Sequence, residues 1–248
     1  MKGITVFVGP TCSVSDLPNS DSLDIRPPVA EGDLFRAIES GARLVGIIDG
    51  YFESQPAVWH KEIIWAIHNG AVVAGAASMG ALRAAELERC GMVGIGEIYQ
   101  AYADGVLEDD DEVAVAHGPE TLGFPAVSEA MVNVRWSVRE ALEVGAVCDW
   151  EADLLLSAAK SIFFKDRTWQ AVEERLLATG LSKARSRELV RRVLVHRVNQ
   201  KERDAVLLLE YLASLLAVEP GRIKSALPSY LNTPAFRRSK ARATAGAR

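Results

Sequence analysis

Ser78 stands where a strand-like run gives way to a helix-like one, in Ala76-Ala77-Ser78-Met79-Gly80. That order approaches the Gly-x-Ser-x-Gly nucleophile elbow, with Ala76 in place of the first glycine. An elbow exposes the hydroxyl, and the following backbone N–H, here of Met79, can hold an oxyanion. The same serine can instead cap the helix through its oxygen, and its position fits both roles. His60 and Lys61 open another helix-like segment. The positive end of a helix disfavours a protonated imidazole and so keeps a general base available, although the pair also suits a solvated first turn. Asp49 precedes Gly50 and can orient His60 or Lys61, or only shape the turn; His117 is a second candidate base. Arg83 and Glu86, three residues apart, either pair on the surface or order the rim of a site.

Gly9-Pro10-Thr11-Cys12-Ser13 offers amides and hydroxyls to an anion. It lacks the lysine of a Walker loop and the three glycines of a dinucleotide fingerprint, so no cofactor is called for. Cys12 reads as a half-buried, unreactive thiol. The acidic run Glu108–Glu112 reads as a solvated loop rather than a cation site, because no Gly-centred calcium pattern surrounds it. His60-Lys61-Glu62 has no second histidine four residues on, and no metal-ligand spacing occurs elsewhere.

The elements that must position these residues alternate. Ile4–Val8, Arg43–Ile48, Ala71–Ala74 and Glu112–Ala116 read as strands, and a brief one is expected at Leu23–Ile25. Helices are expected around Leu34–Ile38, from Pro56 to His68, over Met79–Arg89 and around Ser128–Val144. Strand-helix repetition predicts an open, mostly parallel Rossmann/flavodoxin-like sheet with helices on both faces. Such sheets bind ligands outside the carboxyl ends of their strands. Those ends carry Gly9-Pro10-Thr11, Asp49-Gly50-Tyr51-Phe52, Gly75 to Gly80 and His117-Gly118-Pro119. Four such ends together predict one site. From Trp150 the period becomes helical, predicting an α/β domain over 1–148, an α-helical domain over 149–232 and a basic, disordered tail over 233–248.

The chain has 248 residues, 49% hydrophobic and 25% charged, enough for a sizeable core. Its net charge of -5 divides into -13 over residues 1–148 and +8 over 149–248. The basic half suits an acidic protein partner or nucleic acid, or neutralises its own acidic neighbour. Nucleic acid is the weakest of these, since the basic residues are scattered without interleaved aromatics. No run has the length of a membrane helix, and Ile4–Val8 follows the start with no apolar leader. Cys12, Cys90 and Cys148 are odd in number and far apart, so a reducing cytoplasm is expected.

Several segments together resemble the TfuA-type core. They are Val6-Phe7-Val8-Gly9-Pro10-Thr11, Asp49-Gly50-Tyr51-Phe52, Pro56 to Ile63, Gly75 to Leu87 and Asp110-Asp111-Glu112-Val113-Ala114-Val115. Lys201-Glu202-Arg203-Asp204-Ala205 is similar as well, and Cys12 falls outside the pattern. The resemblance implies a cytoplasmic partner of a YcaO-type enzyme in peptide backbone thioamidation, as in the biosynthesis of ribosomally made peptides. It further implies hydrolysis of a thiocarboxylated ubiquitin-like sulfur carrier, freeing sulfide. In that reading Ser78 attacks the acyl carbon, or water does so directly, with His60 or Lys61 as base and Asp49 as a further catalytic residue. Gly9, Pro10, Thr11, Tyr51, Met79, Arg83 and Glu86 would bind substrate. The alternative is a non-catalytic adaptor that docks on the YcaO enzyme and assists it allosterically. An oligomer is compatible with either.

Overall fold

The computed structural model describes residues 4–13, 23–216 and 233–245. Its sheet has five strands, β1 (Ile4–Phe7), β2 (Leu23–Arg26), β3 (Leu44–Ile47), β4 (Val72–Gly75) and β5 (Val93–Gly94). All pairings are parallel and the order is β2-β1-β3-β4-β5. This is the flavodoxin-like order, in which the chain reverses its direction of travel between β1 and β3. Residues alternate between the two faces because successive side chains in a strand point opposite ways. Phe7, Val45, Ile47 and Val73 enter one core. Ile4, Val6, Val8, Leu44, Ile48, Ala74 and Ala76 enter the other. Both faces are therefore apolar, as a parallel sheet covered on two sides requires.

The first face is covered by α1 (Asp33–Glu39), α2 (His60–His68), α3 (Met79–Leu87) and α10 (Pro234–Thr244), through Leu34, Phe35, Ile63, Ala84 and Phe236. The second is covered by α9 (Gln200–Leu216), through Ala205, Leu208, Leu209 and Leu212. A Cβ on Gly46 would meet Leu212 Cδ1 at 2.8 Å, so β3 has no side chain where α9 lies closest. Asp204 on α9 accepts hydrogen bonds from the amides of Glu97 (3.2 Å) and Ile98 (2.8 Å), the first residues of α4 (Glu97–Ala103). Those are amides a helix start leaves unpaired.

By its internal contacts the chain divides into Met1–Glu108 with Glu202–Arg248, and Asp109–Lys201. This differs from the boundary expected near residue 148, because α9 packs on the sheet although its period reads as part of a helical half. The segment expected as a disordered tail carries α10 instead. Its Phe236 packs edge-on against Phe35 at 5.5 Å, Ser239 Oγ donates to Glu31 Oε1 at 2.6 Å, and Lys240 lies 4.2 Å from the Trp65 ring centre.

The unit Asp109–Lys201 is helical, with α5 (Met131–Glu143), α6 (Asp149–Lys160), α7 (Trp169–Ala178) and α8 (Lys183–Val195) around Val134, Leu155, Leu176 and Val193. The expected strand Glu112–Ala116 is absent. Residues Asp110–Glu112 form a 3-10 turn, and the fifth strand is the two-residue Val93–Gly94. The turn is fixed by ion pairs. Arg135 grips Glu112 with two 2.8 Å bonds. Lys160 Nζ lies 3.0 Å from Asp109 and 2.8 Å from Glu112 and also bonds Asp111. The fully buried Arg167 meets Asp111 Oδ2 at 2.7 Å. The three carboxylates lie close enough for a cation, and Lys160 supplies that charge from within the chain. Among the described residues, no helix is long and apolar enough to cross a membrane.

Candidate functional site

The carboxyl ends of β1, β3 and β4 are neighbours because the strands are. Between the first two lies the point where the strand order reverses, the usual crevice of this sheet type. Asp49 closes it. Its carboxylate is 1% exposed and accepts the amides of Gly9 (2.9 Å) and Thr11 (3.0 Å) and the Thr11 hydroxyl (2.6 Å). Thr11 is itself buried. One side chain thus fixes the Gly9–Thr11 loop to the end of β3, and Pro10 is held between the two pinned amides. Tyr51, half-buried, donates its amide to Val29 O at 3.3 Å.

At the end of β4 the chain turns into α3 through Ala77, which has φ 67, and Ser78, the N-cap residue. A non-glycine residue at positive φ is strained, which marks a turn the surrounding packing enforces. The elbow-like backbone is therefore centred one residue before Ser78. Ser78 is 2% exposed, and its oxygen does not cap α3. Two glycines explain how α3 begins so close to the sheet. A Cβ on Gly75 would collide with Gly80 O, and one on Gly80 would collide with Ile47 O. Met79 is buried against Gly50, where a Cβ would meet it at 2.6 Å.

His60 is the first residue of α2 and Lys61 the second. His60 Nε2 bonds Glu86 Oε2 at 2.9 Å, and Arg83 bonds the same oxygen at 2.5 Å. Glu86 on α3, rather than Asp49, is the carboxylate that holds the imidazole. Burial alone would raise the Glu86 pKa, but the hydrogen bonds from His60 and Arg83 outweigh it and keep the carboxyl below its ordinary value. A bond from Nε2–H to a carboxylate leaves the lone pair of a neutral imidazole on Nδ1. His60, Lys61 and Arg83 together wall a cavity of about 580 Å³, with Trp59 beside them. The structure thus brings His60, Lys61, Arg83 and Glu86 together, and Asp49 with Gly9 and Thr11. No hydrogen bond joins His60 to Ser78 among the described residues. His117 lies in the other unit, its ring bonded to Gly118 O at 2.8 Å.

Glu62 is a residue the sequence reading left out of the site. It is buried, and its two oxygens accept the amides of Trp59 (2.8 Å) and Gly32 (2.9 Å). Its place three residues after the helix-capping position was the available signal. Burial, with Asp33 and Glu31 nearby, outweighs these bonds and pushes its pKa up to about 8. The folded chain then holds a proton that the unfolded chain, titrating near 4.5, has lost. Stability accordingly falls as pH rises from about 4.5 to about 8, by on the order of 5 kcal/mol. Glu62→Gln is expected to flatten that slope in urea titrations at stepped pH. An unchanged slope would assign it to other groups.

The carboxyl ends of this parallel sheet thus carry a loop pinned by Asp49 at the β1/β3 reversal, and the start of α2 carries a carboxylate-held histidine beside a cavity. A family model described as TfuA-like protein matches residues 49–168. That segment, which holds His60, Ser78, Arg83 and Glu86, is similar to the TfuA-like family over just under half of the chain. No curated protein matches the chain.

Proposed function

We propose that the chain delivers sulfur to a YcaO enzyme by hydrolysing a thiocarboxylated ubiquitin-like carrier. The supporting observation is the His60–Glu86 pair on the cavity wall. Nδ1 of His60 takes a proton from water, and the hydroxide adds to the acyl carbon. The C–S bond then breaks, and the sulfur leaves with protons returned by the imidazolium and the new carboxylic acid. The balance is one thiocarboxylate anion plus one water giving one carboxylate anion plus one hydrogen sulfide. Glu86 keeps the ring oriented and stabilises the imidazolium between the two transfers. In the covalent version, Ser78 replaces water as nucleophile and the amide of Met79 would face the oxyanion; the Gly9–Thr11 loop, whose amides and hydroxyl are held by Asp49, would only shape the site. Lys61 is the alternative base, and Tyr51 belongs to the substrate-facing strand end. The burial of Ser78 and the half-exposed side chain of His60 favour the water route.

Sulfide release from a thiocarboxylated carrier tests the reading. His60→Gln is expected to lower the rate about 10²- to 10⁴-fold, the usual contribution of a general base. A rate unchanged in His60→Gln would remove the hydrolytic reading. Full activity in Ser78→Ala would remove only the covalent version. The second reading, an adaptor that docks on the YcaO enzyme and assists it without catalysis, is favoured by the exposed Arg237, Arg238 and Arg242 of α10. It fails if the isolated chain turns over carrier with no YcaO enzyme present.

A further inference from the structure

The cavity beside His60 has a chemical bias of its own. Its wall carries His60, Lys61 and Arg83 and, among the described residues, no acidic side chain. Glu86 is shared by His60 and Arg83, and Glu62 is buried with its oxygens taken by the amides of Trp59 and Gly32. Lys61 has no ion pair among the described residues. Arg83 is largely buried, with 13% of its side chain exposed, and its Nε–H is buried with no acceptor. A buried donor without a partner costs roughly 1 to 3 kcal/mol, and such a donor in a native fold calls for a cause. The same guanidinium reaches the cavity wall beyond that buried atom, and its charge there suits a ligand that brings acceptor oxygens and negative charge. The start of α2 opens on the same space and adds its positive end. Trp59, Pro56 and Val58 give the wall an apolar part, and about 580 Å³ lies within the range of small-ligand sites.

We propose that this cavity is an oxyanion-binding site, taking a carboxylate- or phosphate-bearing ligand between Arg83 and Lys61. Arg83 has a planar guanidinium that matches either group, with the terminal N–H groups not spent on Glu86 as donors. Lys61 adds a point charge, and Glu86 fixes Arg83 from its other side through the 2.5 Å bond. The inference concerns binding only and stands whether or not the chain cleaves an acyl–sulfur bond.

Calorimetry on the full chain at low salt, with no carrier and no sulfide readout, tests it. The probes are inorganic phosphate, an acetylated tripeptide with a free carboxyl end, and the same tripeptide with an amide end. Saturable binding of phosphate or of the free-carboxyl peptide, but not of the amide, is expected. Phosphate alone would identify a phosphoryl ligand, and the peptide alone a chain end. Arg83→Gln and Lys61→Gln are each expected to weaken binding at least tenfold. Ala235→Glu, which sets an acid on the cavity wall from an exposed position of α10, is expected to do the same while leaving the buried groups intact. Absence of saturable binding of both charged probes, or equal affinity in all three variants, would overturn the proposal. Binding of a charged probe by an unaltered chain that, in a separate assay, releases no sulfide from thiocarboxylated carrier would count against the hydrolytic reading alone.

Discussion

Gly80→Ala is expected to destabilise the protein by roughly 4 kcal/mol or to prevent folding, a size reached only by a few mechanisms. The added methyl collides with the carbonyl oxygen of Ile47, an atom of β3 that pairs with neighbouring strands. The helix cannot withdraw, because Gly80 N–H donates to Ile48 O at 3.2 Å and Ala81 N–H to Ala76 O at 3.2 Å. Overpacking against side chains is relieved by rotamer change, whereas backbone has no such freedom. Gly70→Ala is the matched control. Gly70 has φ +83 with nothing within 4 Å, so only the left-handed strain of about 1 kcal/mol is lost there. Urea unfolding of the two variants reads the difference directly. A Gly80→Ala midpoint equal to that of wild type would show that α3 does not approach β3 as described.

Removing the Asp49 carboxylate is expected to cost about 4 kcal/mol, since hydrogen bonds to a charged acceptor are worth roughly 1.5 to 3 kcal/mol each and buried donors left unpaired are penalised. Asp49→Ala strands two amides and one hydroxyl at the end of β1. Thr11→Val removes the hydroxyl alone and is expected to cost about 1 kcal/mol. The two residues touch, so their effects are expected to be less than additive in a double-mutant cycle. Strict additivity would separate Thr11 from Asp49. Amide exchange should also locate the damage, with protection lost first at Gly9 and Thr11.

The strands were legible where β-branched runs end in turn residues, as in Ile4–Val8 before Gly9-Pro10. That the ends of β1, β3 and β4 would be neighbours was legible for the same reason, because sheet order makes them so. Val93–Gly94 was not, since two residues carry no periodicity. Glu112–Ala116 has a strand-like alternation, but Arg135 and Lys160 hold Glu112 in a turn, and such long-range pairing leaves no local trace. The close approach of α3 to the sheet was not legible, because Gly75 and Gly80 make it through contacts with backbone distant in sequence or across the turn. That Glu86 rather than Asp49 meets His60 follows from how α2 and α3 lie side by side on the sheet. Only coordinates give that. The placing of α9 was misread because it returns to the sheet after the 93 residues of the second unit.

That return has a consequence for how the molecule is made. Ile4, Val6, Leu44 and Ala74 emerge early from the ribosome, yet the helix that shields them is synthesised after residue 201. A nascent chain stopped short of α9 presents one greasy side of its sheet to solvent, the kind of surface that recruits holding chaperones or aggregates. Frameshifts late in the reading frame should therefore be as damaging to solubility as lesions in the strands themselves.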